Sequence, residues 1–342
     1  MLVSIFRNTL IGGIAVHSSN LYARLRAEGV EVRRVDYGEA FVRPAPHHRV
    51  VAGLRILLRL IRLRWRGARL FHFHASNQAL VYYLYGPLLA LTGATLVLSI
   101  HSGYGYHRWL AEHRVYDAIN GFVFRFLDRL ILMNPEERGR IRRRYPFLAD
   151  RILTFNPFIA PVRVPPRPPR GQRPFRIITI GSWAERYNVQ EAVAAARRFG
   201  RELGERIHVT VVQSTAHYDE EYRDRLLEEF AAARAELDLV LVENTAEMMN
   251  MLADHDVQVR ASKWDSYGLC VAESLLVGTP VLATDVCRRC AAAELYRQGD
   301  EGAIVAFLHQ RYRQRHRQYG NLLTRAEDSY NSYLDLYREL DA

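Results

Sequence analysis

Short apolar runs rich in Val, Ile and Leu alternate with longer stretches of helical periodicity along almost all of the 342 residues. Strand-like runs fall at residues 2–6, 30–35, 70–73, 95–100, 129–133 and 151–155. Helix-like segments separate them at about 12–28, 78–91 and 116–126. In the first helix Ile14, Leu21 and Leu25 keep the apolar spacing and Gly29 supplies the stop. Strand–helix–strand units of this kind close into a parallel sheet. The alternation then breaks at residues 161–174, which hold six prolines. Proline lacks the donor a sheet needs and favours extended chain, so this stretch reads as a linker. Beyond it the alternation restarts, with strands expected at 175–180, 207–212, 239–242, 257–259 and 280–283. Helices are expected between them at 190–203, 220–237, 246–255 and 269–276, and the end, 303–342, looks helical. The expected fold class is α/β: a Rossmann-like domain over 1–160, the linker 161–174, and a second Rossmann-like domain over 175–320. A C-terminal helix, 321–342, is expected to pack back on the first domain. Ligands of such sheets sit beyond the carboxyl ends of the strands, so two facing domains predict a cleft between them.

Hydrophobic residues make up 49% of the chain and charged residues 25%, which excludes a disordered tail, a collagen-like rod and a disulfide scaffold. Three cysteines cannot staple a chain of this length, so a reducing compartment is expected. Charge is uneven: residues 1–170 carry 26 Arg against 10 Asp and Glu, or +16, while 171–342 carry 21 basic against 27 acidic residues, or −6. No helix-turn-helix, zinc pattern or interleaved basic–aromatic module is present, so nucleic acid is not the expected partner. An anionic lipid surface or a phosphorylated substrate suits the basic half better. Residues 79–100 carry no charge and are long enough to span a bilayer, but Gly86-Pro87 and Thr92-Gly93 break the run. A buried helix followed by a buried strand is the expectation. The start of the chain lacks a basic leader and a small-residue cleavage site, so the expected location is cytoplasmic.

The segment 259–285 is the most informative. It reads as a strand, a glycine-containing loop, a helix, then Gly278-Thr279-Pro280 turning into another buried strand. The loop at 266–269 presents backbone N–H groups at a helix N-terminus, a natural place for a phosphate. Asp265 stands just before that helix and Glu273 one turn into it, so one carboxylate can face a sugar and the other a ribose.

Here the sequence resembles glycosyltransferase family 4, the retaining enzymes of GT-B fold with two Rossmann-like domains (glycosyl transferases group 1). The family's acidic-x7-Glu pattern, followed by Gly-x-Pro-Val, reads here as Asp265-x7-Glu273, Ser274 and Gly278-Thr279-Pro280-Val281. The resemblance implies that Glu273 binds the ribose of a nucleotide sugar. It further implies that Asp265 contacts the donor hexose and that the amides of Tyr267, Gly268 and Leu269, with Ser266, meet the diphosphate. Gly12-Gly13 resembles the family's glycine loop, where a backbone approaches the donor without a Cβ in the way; a plain helix-start turn explains the pair as well. Ile100-His101-Ser102-Gly103 resembles the strand-end histidine that lies over the transferred sugar, and Phe71-His72-Phe73-His74 resembles a second histidine-containing strand end. His17, His72 and His74 are placed on the acceptor side.

The sequence also departs from the family. After the first strand of the second domain the family commonly shows Gly-Arg and then Lys-Gly, which neutralise the donor diphosphate. Here the segment is Gly181-Ser182-Trp183-Ala184-Glu185-Arg186, with Ser182 in the arginine's place and no lysine. Arg186 is the leading substitute, with Lys263 and Arg260 in reserve; a non-catalytic relative would lose the same residues. Asp254-His255-Asp256 resembles a cation-binding DxD string but ends a helix and opens a strand, and Cys287-x-x-Cys290 lacks the second pair a zinc site needs. No metal or other cofactor is expected.

Arginines at 55, 59, 62, 66 and 69 recur at spacings of four and three along the stretch 50–69, placing them on one helical face among Leu, Ile and Trp65. Such a basic amphipathic helix suits an anionic membrane surface; packed on the sheet, it would simply show a solvated arginine face. The combined expectation is a retaining, metal-independent hexosyltransferase. It would move sugar from a UDP- or GDP-sugar to a glycan or lipid-linked acceptor, in the assembly of a bacterial surface polysaccharide or glycoconjugate. Peripheral attachment to the inner face of the plasma membrane is left open. The alternatives are a GT-B sugar-nucleotide epimerase and a non-catalytic, membrane-associated scaffold.

Overall fold

The computed structural model describes the whole chain except residues 5, 7–11, 39–45, 78, 103–104, 162–172, 214–218, 244, 246, 318, 324–328 and 342, and the side chains of 46–49. Most of the proline-rich linker, Gly103, and the expected helix starts at Gln78 and Ala246 therefore lie outside the described residues. The chain divides into two compact units, Met1–Ala160 with Asp328–Ala342, and Pro161–Glu327.

The first unit is built on a six-stranded sheet in the order β2-β1-β3-β4-β5-β6. Its strands are β1 (Leu2–Ser4), β2 (Arg34–Asp36), β3 (Leu70–Ala75), β4 (Thr95–Ile100), β5 (Arg129–Leu132) and β6 (Ile152–Thr154), and every pairing among them is parallel. Side chains alternate across a strand, and the sequence Phe71-His72-Phe73-His74 uses that period. Phe71 and Phe73 enter one core with Leu96, Leu98 and Leu130. Val97 and Ile131 point the other way, into a second core with Leu21, Leu25, Tyr330, Tyr333 and Leu336. Both faces of the sheet are thus covered, as a parallel sheet requires. Each fully buried Leu or Phe contributes roughly 1.5–3 kcal/mol through burial. The histidines of β3 fall on the second face, under the final helix Tyr330–Asp341.

The second unit repeats the scheme in the order β12-β11-β10-β7-β8-β9, again with parallel pairings only. Its strands are β7 (Arg176–Gly181), β8 (His208–Gln213), β9 (Asp238–Glu243), β10 (Val257–Arg260), β11 (Val281–Thr284) and β12 (Glu294–Tyr296). Helices Val189–Leu203 and Glu301–Arg313 pack on one face through Ala192, Ala195, Ala196, Ile304 and Leu308.

The structure corrects several expected elements. The strand expected at 30–35 pairs only over Arg34–Asp36, because Val30 and Val32 are spent packing the core ahead of the sheet. The helix expected at 116–126 becomes Tyr106–Glu112, Arg114–Val123 and a 3-10 turn at Phe124–Phe126. The helical end splits into Glu301–Arg313 and Tyr330–Asp341, and the three-residue β12 was not anticipated. The basic helix runs over Pro46–Trp65, so Arg66 and Arg69 lie beyond its end. The helix Leu80–Ala90 is not buried throughout: Leu80, Leu84 and Leu88 are exposed along one face. No helix among the described residues is long and apolar enough to cross a membrane.

Candidate active site

In the second unit the chain leaves β7 toward β8 on one side and toward β10 on the other, so the sheet reverses its winding between β7 and β10. Loops following two such strands part and leave a crevice at their carboxyl ends. The loop after β7 (182–188) and the loop after β10 (261–268) flank that crevice and are tied together, Lys263 N donating to Arg186 O at 2.8 Å.

The loop after β10 is organised around one carboxylate. Asp265 Oδ2 accepts from Arg260 Nε (3.0 Å), Arg260 Nη2 (2.9 Å) and Arg289 Nη1 (2.8 Å), while its Oδ1 accepts from Ser266 N (3.0 Å). Burial pushes the Asp265 pKa up, but the two guanidiniums outweigh it and hold the carboxyl well below the ordinary range. Arg289 Nη1 also donates to Tyr267 O (3.1 Å), and Arg260 Nη1 to Ile180 O (2.5 Å) at the end of β7. Two cations around one anion leave one positive charge beneath the loop. The following helix, Leu269–Leu276, starts at Gly268, whose φ of +76° is left-handed and whose missing Cβ is the space Arg289 occupies. Glu273 lies buried one turn into that helix.

The sequence reading gave Asp265 a sugar to face. In the structure its carboxylate is bonded to Arg260, Arg289 and the Ser266 amide, contacts that also shape the loop. Arg260, held in reserve for the diphosphate, is spent on the same cluster. Arg289 was not singled out: it sits inside the Cys287-x-x-Cys290 string, read only for its cysteines, and its partner is 24 residues away. None of the three cysteines is in a disulfide, and Cys290 Sγ stands 3.1 Å from the Tyr267 hydroxyl. Ser182 is buried at the end of β7, while Arg186 is exposed with its guanidinium 4.9 Å from the Tyr187 ring. Lys263 pairs with Glu185 at 2.5 Å. Glu185 and Lys263, with Gln190, Tyr222 and Arg225, line a polar cavity of about 270 Å³ beyond the ends of β7, β8 and β10. The Asp254-His255-Asp256 string has no carboxylate to spare for a cation. Asp256 accepts from Arg173 (3.2 Å) and from Arg176 N (2.9 Å), and Asp254 pairs with the Arg176 side chain.

In the first unit the sheet reverses between β1 and β3, and the histidines gather there. His72 and His74 share a face of β3, His101 follows β4, and His17 comes from helix Gly13–Ala27. His72 is bonded on both sides, Nδ1 to Tyr337 Oη (2.6 Å) and Nε2 to Ser99 Oγ (2.7 Å). His74 Nδ1 and His101 Nε2 are 3.2 Å apart. Burial, then the neighbouring imidazoles, push His72, His74 and His101 well below the ordinary pKa; burial takes His17 down to about 4. The cluster is neutral at pH 7. His17, His74 and His101 bring ring nitrogens within 4.8 Å of one another, a spacing a metal ion could close. However, Phe158 N donates to His17 Nδ1 (2.8 Å), which leaves the ring proton on Nε2 and no inward lone pair while that bond stands. Gly12 is extended, as any residue can be, and a Cβ on Gly13 would meet nothing within 4 Å. The packing of the fold therefore does not explain the glycine at position 13.

Two parallel six-stranded Rossmann-like units in one chain define the GT-B fold. Solved structures share it: HepE of Anabaena in complex with UDP and glucose (12% identity, TM-score 0.64, covering 93% of this chain and 88% of that one). So do TarM of S. aureus (13%, 0.57, 85% and 58%) and the pneumococcal O-GlcNAc transferase GtfA in complex with UDP and GlcNAc (15%, 0.57, 83% and 59%). The chain spans somewhat under three-fifths of the length of TarM and GtfA. Residues 137–295 match the family model described as family 4 glycosyltransferase in conflict systems, which bears out the resemblance over the stretch that includes Asp265 and Glu273. No curated protein matches the sequence.

Proposed function

We propose that the protein is a retaining glycosyltransferase that moves a hexose from a UDP- or GDP-sugar to a glycan or lipid-linked acceptor, in bacterial surface polysaccharide or glycoconjugate assembly. The observation that carries this is the β10 loop: amides capped by Gly268, one net positive charge beneath them, and Glu273 one turn into the helix, all at the switch point of the sheet. A diphosphate sits on the amides of Tyr267, Gly268 and Leu269, with Ser266, and Glu273 takes the ribose hydroxyls. Arg186 and Ser182, from the facing loop, and Lys263, from the β10 loop itself, complete the diphosphate's surroundings. The donor needs no metal, because these groups offset the leaving charge.

In the reaction the bond from the anomeric carbon to the diphosphate breaks. The acceptor oxygen bonds to that carbon on the same face, and the acceptor proton passes to the departing phosphate. His101 lies over the sugar as a neutral donor or acceptor, Gly12-Gly13 lets the backbone approach, and His17, His72 and His74 shape the acceptor side. The basic helix Pro46–Trp65 holds the protein peripherally at an anionic membrane on its cytoplasmic side.

Nucleotide release from UDP- and GDP-sugars tests the proposal. Glu273→Ala is expected to raise the donor KM at least tenfold, and His101→Ala to lower kcat more than it raises KM. Wild-type kinetics in both variants would overturn the site, and no turnover or nucleotide binding by the wild type would leave a scaffold.

A further inference from the structure

From residue 40 to residue 111 the chain contains no Asp or Glu and nine Arg. Within that stretch lie two neighbouring helices, Pro46–Trp65 and Leu80–Ala90, joined where Tyr85 Oη donates to Gly53 O (2.8 Å) and Arg64 Nη2 to Thr92 O (2.7 Å). Helix Pro46–Trp65 can be read round its circumference at about 100° per residue. Ile56, Leu60 and Leu63 face the core. Gly53 and Arg64 come next, against the neighbouring helix. Val50, Val51, Leu54, Leu58 and Trp65 then fill a sector of about 100°, and they are exposed. The exposed Arg55, Arg59 and Arg62 follow on the far side, over about 60°. The bare apolar sector thus lies between the arginine row and the second helix.

That second helix continues the apolar surface. Leu80, Leu84, Leu88 and Leu91 fall within about 80° of its circumference, and Leu58 (66% exposed), Trp65 (83%) and Leu91 (79%) are among the most exposed large apolar residues of the chain. Soluble proteins rarely leave so much contiguous apolar surface uncovered, and a rim of one charge sign indicates what covers it. A second copy docked on this face would bring the arginine row no acidic partner, because residues 40–111 contain no Asp or Glu. An anionic bilayer supplies the opposite charge and an apolar interior together.

We infer that these two helices form an insertion face: their leucines and Trp65 enter the interfacial region of an anionic bilayer while Arg55, Arg59 and Arg62 hold the headgroups. This rests on the peripheral membrane position proposed above and adds that attachment is apolar as well as electrostatic, through a helix not previously assigned to it. The full chain is mixed with vesicles of phosphatidylcholine alone or with phosphatidylglycerol, at low and high salt, and bound protein is recovered by flotation. Binding to the anionic vesicles with a substantial fraction surviving high salt is expected. Trp65 emission should shift to the blue and be quenched by brominated acyl chains, and the W65F variant should lose that signal. L84S/L88S, which alters exposed side chains only, should bind about tenfold more weakly or worse. If high salt abolishes binding and L84S/L88S binds like the wild type, insertion is overturned and a purely electrostatic attachment stands. If no vesicle is bound, or the mass doubles with concentration through this face, both the insertion and the membrane position fail.

Discussion

A carboxylate shielded from water stays ionised only where cations stand against it, and Asp265 has two. Arg289 is the more exacting partner, because its side chain is almost wholly enclosed and also holds the Tyr267 carbonyl. Arg289→Ala should destabilise the protein by about 3–5 kcal/mol, the usual cost of breaking a buried ion pair, and Arg289→Lys should recover only part of it, because an ammonium is not a planar fork. Urea unfolding reads both, and a loss below about 1 kcal/mol in Arg289→Ala would show that the loop does not depend on it. Asp265 and Glu273 were legible in the sequence because they share a short local spacing with the glycines around them. Arg289 was not legible, since its role exists only once β11 brings it back beneath the loop. The bonds from Asp265 to Arg260 and Arg289 were not legible either, because a spacing pattern does not reveal which cations the fold brings to a carboxylate.

Among the elements, the buried strands β4, β7 and β8 were read to within a residue, since apolar residues dominate them. Strand β3 runs on to Ala75, two residues past its expected end, because His74 stays in the sheet. The short elements Tyr106–Glu112 and β12 escaped notice because their stability comes from tertiary packing and leaves little local pattern. Helix Leu80–Ala90 shows a different limit. Its uncharged sequence reads as buried all round, yet one face is exposed, and only the neighbouring helices decide which. Its inner face is tightly fitted: Tyr82 is fully buried, its hydroxyl donates to Val123 O (2.9 Å), and a Cβ on Gly86 would run into its ring. Gly86→Ala, normally favourable in a helix, should therefore lower stability by about 1–3 kcal/mol. A raised melting temperature in that variant would mean that the ring can move aside.

At the scale of the whole molecule, the histidine cluster couples stability to pH. His17 stays neutral in the folded protein down to about pH 4, whereas the unfolded chain takes up that proton near pH 6.5. Between those values the unfolded state binds more protons, so stability is lost as the pH falls from 6.5 toward 4, by about 3 kcal/mol for His17 alone. His72, His74 and His101 act in the same direction. Melting temperatures should be level above pH 7 and fall steeply below 6, and His17→Asn should flatten that slope; a flat profile in the wild type would contradict the buried, neutral cluster. The central claim concerns the other unit: a nucleoside diphosphate rests on the β10 loop with its ribose at Glu273. Calorimetric titration of UDP and GDP into the wild type, Glu273→Ala and Glu273→Gln tests it directly. One nucleotide should bind at a single site, with affinity reduced at least tenfold in both variants. Equal binding in all three proteins, or none in the wild type, would contradict it.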